Sequence, residues 1–189
     1  VYRGNNSEGE IATAPLNFTQ FPVAGVATTH DSTSFCPDSA STATAISCGV
    51  KTHSGVLGLE ADKTTQPQNI AEKMKEAGWK VGIVSSVTIN HATPAAFYAH
   101  VPSRNQYYDV ALQMADSGFD YFAGGSINSP AGEENDQADA YGVLEQRGYT
   151  VADTKEDIRA LTAAAAPVYA VSPELQDDGA MPYALDTPE

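Results

Sequence analysis

The sequence is poor in cysteine, in long apolar runs and in basic residues. Two cysteines, Cys36 and Cys48, are too few for a disulfide-dense secreted scaffold. No apolar run approaches the roughly 18 residues that a membrane-spanning helix needs. Only 10 Lys and Arg oppose 24 Asp and Glu, which gives a net charge of −14. Because such a surface repels a phosphate backbone, the charge argues against nucleic acid as a partner.

The remaining composition is that of a folded domain. Hydrophobic residues make up 42% of the 189 residues, enough to build a core. We expect residues 1–189 to form part of a single domain, with 126–189 as its acidic C-terminal portion. The excess acid there predicts a solvated face, and a salty habitat is a weaker alternative.

Helical and strand-like patterns alternate along the chain. Helices are predicted at 39–47, 66–77, 106–116, 138–146 and 154–161, and strands at 25–30, 79–87, 119–123, 149–152 and 167–171. This alternation predicts an α/β fold, a three-layer α/β/α sandwich with a mainly parallel sheet. Ligands of such sheets bind at the carboxyl ends of the strands, and the polar motifs described next follow predicted strands.

The first polar motif joins a loop to a helix of small residues. Ser39 is expected at the N-terminus of this helix, where unpaired N–H groups and the helix dipole attract anions. A simpler reading is that Asp38 or Ser39 only caps the helix.

If residues 39–47 are helical, Cys36 and Cys48 lie at opposite ends of that helix, roughly 14 Å apart. A disulfide requires Cα atoms within about 7 Å, so both cysteines are predicted to be unpaired.

Two further motifs offer polar groups in loops. His91 and Thr93 present an imidazole and a hydroxyl that suit a metal or its water shell, although a simple turn with a satisfied histidine explains them as well. Arg104 carries a planar fork that can hold two phosphate oxygens, and its alternative is a surface arginine. The chain has no H-x-x-x-H or C-x-x-C spacing, so these residues alone do not encircle a zinc ion.

Taken together, these segments resemble the alkaline phosphatase family. The order and spacing of several motifs between residues 25 and 125 make the resemblance specific. The matching segments are 37–45 (PDSASTATA), 49–52 (GVKT), 55–58 (GVLG), 91–96 (HATPAA), 99–104 (AHVPSR) and 119–125 (FDYFAGG). The resemblance implies hydrolysis of phosphate monoesters with two zinc ions and one magnesium ion.

The resemblance also implies a role for each matched residue. Ser39 would be the nucleophile that becomes phosphorylated and would also bind one zinc ion. Asp38 would orient Arg104, and Arg104 would hold the phosphate. Thr93 would belong to the magnesium site. His91 occupies a position that is aspartate in some members and histidine in others, so magnesium would bind more weakly there or zinc would enter.

The sequence departs from the family by what it lacks. The Gly-Asp-Gly metal-binding turn expected upstream and the Asp, His and Glu ligands expected downstream do not occur. We therefore expect an internal piece of the enzyme, with an incomplete sheet and negligible activity on its own. Alternatives are an inactive folded domain or binding module, or a related sulfatase or phosphodiesterase. By the resemblance, the parent enzyme would be periplasmic or secreted, and a homodimer is possible.

Overall fold

The computed structural model describes residues 2–5, 9, 11–13 and 15–175, so residues 176–189 of the acidic C-terminal portion lie outside the described residues. The strands are β1 (Tyr2–Asn5), β2 (Ile11–Thr13), β3 (Gly82–Thr88), β4 (Tyr121–Gly125), β5 (Thr150–Ala152) and β6 (Val168–Val171). The helices are α1 (Ser39–Cys48), α2 (Ile70–Glu76), α3 (Ala92–Ala95), α4 (Tyr107–Asp116), α5 (Ala140–Gln146) and α6 (Lys155–Ala160).

Four of the strands form one parallel sheet in the order β3-β4-β6-β5. Helices connect these strands along the chain, as crossovers between parallel strands require. The predicted α/β class and the parallel sheet are therefore confirmed. Strand β3 is an edge of this sheet among the described strands, and β1 and β2 form a separate antiparallel pair. None of the helices in the described part of the chain is long and apolar enough to cross a bilayer.

Helix α1 forms where the small-residue pattern predicts it. Asp38 is its N-cap and accepts the backbone N–H of Ser41, while Gly49 ends it with a left-handed φ of 76°. Small side chains let the helix sit close to its neighbours, and the Ser47 hydroxyl donates to the Ala96 carbonyl of the α3 segment at 2.6 Å. Both cysteines are unpaired, as predicted.

The predicted strand at 25–30 is wrong. This segment has no regular structure and is exposed, because no strand among the described residues pairs with it. Its carbonyls at Thr28 and His30 instead accept hydrogen bonds from the Lys51 ammonium. The helix predicted at 66–77 is also shorter than expected, since the Asn69–Glu72 capping box starts α2 at Ile70.

Aromatic residues fill the core between the sheet and its helices. Phe122 contacts the rings of Tyr98, Phe119 and Tyr149 at centroid distances of 5.2 to 6.0 Å. The buried hydroxyl of Tyr98 donates to the Ile89 carbonyl at 2.7 Å. Burying such a hydroxyl unpaired would be costly, so this bond fixes the loop that follows β3.

Candidate active site

The N-terminus of α1 presents Ser39 to solvent. Ser39 is the first helical residue and is exposed, while the preceding Asp38 is half-buried and caps the helix. The first N–H groups of a helix have no partner within the helix, and the helix dipole adds a partial positive charge. The local capping predicted for Asp38 is therefore present, and it leaves the Ser39 hydroxyl free to meet an anion.

Arg104 lies at this same helix end although it is distant in sequence. Its Nη1 donates to Asp38 Oδ2 at 3.1 Å, and its side chain is only 23% exposed. Burial alone would raise the pKa of Asp38. Hydrogen bonds from Ser41, from the Gly55 N–H and from Arg104 outweigh that effect and lower the pKa to about 2. The carboxylate is thus ionised at neutral pH and holds the guanidinium beside Ser39.

A turn at residues 54–58, which we call the bracket turn, connects Arg104 to α1. The Arg104 N–H donates to the Gly55 carbonyl at 2.7 Å, and Leu57 and Val101 form an antiparallel bridge. On the other side, the Gly58 N–H donates to the Thr44 hydroxyl of α1 at 3.0 Å. The bracket turn therefore fixes the arginine segment and the serine helix against each other through backbone contacts.

His91 contacts the other side of the Arg104 guanidinium. Arg104 Nη2 lies 3.2 Å from His91 Nε2, so the geometry makes this nitrogen the acceptor. Burial and then the positive charge of Arg104 lower the pKa of His91, which keeps the ring neutral at neutral pH. Its Nδ1 is buried without a hydrogen-bond partner among the described residues. Since Nε2 is the acceptor of the neutral ring, Nδ1 carries the proton, and this buried N–H has no acceptor among the described residues.

Thr93 lies close to Ser39. Both residues line one open cavity of about 480 Å³, together with Asp38, Thr42 and Phe97. Thr93 is exposed on the short helix α3, whose N-cap is His91. The structure thus brings Asp38, Ser39 and Arg104 to one end of α1, with His91 against the arginine and Thr93 across the cavity.

The described residues supply single metal donors without a complete ligand set. Within 2–5, 9, 11–13 and 15–175, no three His, Cys, Asp or Glu side chains come together as a metal ion would require. Ser39, His91 and Thr93 therefore fit at most a corner of a zinc or magnesium site.

Sequence reasoning did not reveal the roles of two features of the site, the bracket turn and Asn90. The bracket turn acts through backbone N–H and C=O groups, which leave no mark on residue type. Asn90 is fully buried, and its side-chain amide donates to the Tyr107 and Asn128 carbonyls while accepting from the Asn128 N–H. A buried asparagine next to His91 stabilises the loop that presents the imidazole, but only long-range contacts reveal this role.

Comparison with known proteins identifies relatives of this chain. The family model for alkaline phosphatase matches residues 1–129. Alkaline phosphatase 4 of Drosophila melanogaster is 37% identical over 128 residues, which are 63% of this chain and 21% of the fly protein. The solved alkaline phosphatase from the Antarctic bacterium TAB5 superposes with a TM-score of 0.76 at 33% identity, over 89% of this chain and 48% of that one.

A variant of the TAB5 enzyme shows the same likeness. In it a histidine is replaced by glutamate and Mg is bound in the M3 site, and it superposes with a TM-score of 0.74 at 34% identity, over 90% of this chain and 47% of that one. This chain thus spans about half the length of the solved enzyme and about a fifth of the curated fly relative. The family model matches well over half of the chain, and the fold agrees with it. The chain belongs to the alkaline phosphatase family.

Proposed function

We propose that this chain carries the nucleophile and the phosphate-binding arm of a phosphate monoester hydrolase. The observation that carries the proposal is the pairing of Arg104 with Asp38 at the helix end that presents Ser39. A dianionic phosphate would find two positive features there, a guanidinium fork and unpaired helix N–H groups. Membership in the alkaline phosphatase family supports the same reaction.

The chemistry assigned to these residues is a two-step transfer. The Ser39 oxygen would lose its proton and form a bond to phosphorus, while the ester P–O bond breaks and the alcohol leaves with a proton. Water would then cleave the phosphoserine to release phosphate and restore the hydroxyl. Arg104 would hold the equatorial oxygens throughout, because charge spreads over them in the transition state.

Metal dependence is part of the proposal, with zinc and magnesium as the ions. In this assignment Ser39 contributes to a zinc site, and Thr93 and His91 contribute to a magnesium site. Support comes from the Mg bound in the TAB5 variant and from membership in the alkaline phosphatase family. The other ligands would have to come from outside the described residues.

The sparse metal donors also favour a second candidate function for this chain taken alone. With so few donors, the described part of the chain would bind phosphate without turning over an ester. We therefore expect negligible hydrolysis of p-nitrophenyl phosphate by this chain with zinc and magnesium present.

A binding experiment tests the phosphate arm directly. Inorganic phosphate is titrated into the purified chain by isothermal calorimetry, with Arg104→Ala as the test variant. We expect the affinity to fall by about tenfold or more, because a charge-assisted bidentate contact is lost. Arg147→Ala is the matched control, since Arg147 is an exposed arginine paired with Asp116. Equal affinities in the wild type, the test variant and the control contradict the proposal.

The nucleophile is tested separately by mass spectrometry. After long incubation with p-nitrophenyl phosphate and acid quenching, any phosphoryl group that the chain carries should lie on Ser39, and Ser39→Ala should carry none. Steady turnover that disappears in Ser39→Ala would support the nucleophile and refute the expected inactivity of the chain. A phosphoryl group on any other residue would refute the assignment of Ser39.

A further inference from the structure

Asp31 is a buried acid that neither the sequence motifs nor the proposed mechanism uses. It is only 5% exposed and receives hydrogen bonds from three segments of the chain. The N–H groups of Thr33 and Ser34 donate to Oδ1 at 2.7 and 2.6 Å. The hydroxyls of Ser41 and Ser54 donate to Oδ2 at 3.0 and 2.5 Å. These contacts, that of Ser54 above all, hold the pKa of Asp31 well below its usual range.

The Ser41 hydroxyl links Asp31 to the acid that holds Arg104. Its oxygen lies 3.0 Å from Asp31 Oδ2 and 2.9 Å from Asp38 Oδ1. One hydroxyl has one proton, so the two carboxylates compete for it. The two oxygens of Asp38 have different partners. Oδ1 faces the Ser41 N–H and hydroxyl, and Oδ2 accepts from Arg104.

The second link runs through the bracket turn. Ser54 donates to Asp31, and the carbonyl of the next residue, Gly55, accepts the backbone N–H of Arg104. Asp31 therefore holds the residue that precedes the carbonyl to which the Arg104 backbone is bound. The first route leads to the Arg104 guanidinium and the second to the Arg104 backbone N–H, so both reach the same residue.

We propose that Asp31 is a positioning residue for phosphate binding, acting on Arg104 through Ser41–Asp38 and through the bracket turn. The inference deepens the proposed function and rests on it for the identity of the ligand. A merely structural role would tie loop 31–34 to α1 without affecting the guanidinium, and this is the distinction that the experiment addresses.

The test compares two aspartates with the same local contacts. Asp31→Asn keeps the shape of the side chain but removes its charge. Asp62→Asn is the matched control, because Asp62 also accepts two backbone N–H groups and a threonine hydroxyl but is exposed and has no contact with the site. We expect inorganic phosphate to bind about three- to tenfold more weakly to Asp31→Asn and unchanged to Asp62→Asn.

The guanidinium resonances of Arg104 provide a readout that needs no phosphate. In ¹⁵N NMR spectra of the free chain, they should move in Asp31→Asn towards their positions in Asp38→Asn, and stay in place in Asp62→Asn. Ser41→Ala cuts the first route and keeps the Asp31 carboxylate with its contacts to Thr33, Ser34 and Ser54, so it carries the test if Asp31→Asn fails to fold. Thermal unfolding of each variant defines the temperature at which all are folded.

The outcomes separate the two proposals. Arg104 resonances that stay unchanged in both Asp31→Asn and Ser41→Ala overturn the positioning role, whatever the phosphate affinity. Resonances that move while the wild-type chain binds no phosphate support the positioning role and refute the phosphate arm of the proposed function. A further check is the double variant: in an Arg104→Ala background, Asp31→Asn should leave the residual phosphate affinity unchanged.

Discussion

Gly58 is the glycine at which an added methyl group should most clearly lower the free energy of unfolding. Its φ is +61°, and a Cβ built there lies 2.2 Å from the Ala99 carbonyl oxygen and 2.7 Å from His100 Nδ1. Contacts below 3.0 Å force atoms apart. The carbonyl belongs to the backbone that the Leu57–Val101 bridge fixes, so it has little room to move.

The size of the effect follows from two separate costs. A left-handed backbone costs a non-glycine residue about 1–2 kcal/mol, and the smaller entropy of the unfolded alanine chain returns about 0.4–1 kcal/mol. Overpacking adds about 1–3 kcal/mol. Gly58→Ala should therefore lower the free energy of unfolding by about 1–4.5 kcal/mol.

Gly78→Ala isolates the first of these costs. Gly78 ends the α2 segment with φ +85°, and no described heavy atom lies within 4 Å of its Cβ position. We expect it to lower the free energy of unfolding by only about 1 kcal/mol. Urea unfolding followed by far-UV circular dichroism measures both variants against the wild type. If the two variants differ by less than about 0.5 kcal/mol, the close approach at Gly58 is refuted.

Two further predictions concern charge and thiol reactivity. Burial alone would raise the pKa of Asp120, but hydrogen bonds from two lysines and the Val81 N–H outweigh it and hold the pKa well below its usual range. This carboxylate therefore stabilises the fold above about pH 4 and loses that contribution as the pH falls below its unfolded value. Asp120→Asn should cost about 1–2 kcal/mol at pH 7 and less at pH 3, as urea unfolding at both pH values will show; an equal cost contradicts the ion-pair assignment. Cys36 is exposed, whereas burial raises the pKa of Cys48, so Ellman's reagent should label Cys36 first; equal rates would count against the burial of Cys48.

Local signals predicted the parts of the fold that depend on neighbouring residues. Helix α1 has a capping aspartate, small residues and a terminal glycine, and each acts within a few positions. The segment at 25–30 has strand-like residues, but a strand also needs a partner, and none among the described residues supplies one. Pairing is a long-range property, and one segment of sequence does not encode it.

The candidate site was also predictable only in part from the sequence. The meeting of Asp38 and Arg104, 66 positions apart, was expected from the resemblance of several motifs in order, and no local pattern would have suggested it. The bracket turn and Asp31 were missed because their roles depend on backbone groups and serine hydroxyls. These groups occur throughout the chain, so only the folded geometry shows which of them reach the arginine.

The contacts of Arg104 hold its guanidinium at the N-terminus of α1. Its backbone N–H is bound to Gly55, Nη1 to Asp38 and Nη2 to the neutral imidazole of His91. An arginine held at three points has lost most of its rotamer freedom before a ligand arrives, so binding spends less entropy on ordering it. A lysine has a single ammonium group and lacks the planar fork that spans Asp38 and His91. In the proposed phosphate site, this ordering of Arg104 by the surrounding loops would add to the effect of its positive charge.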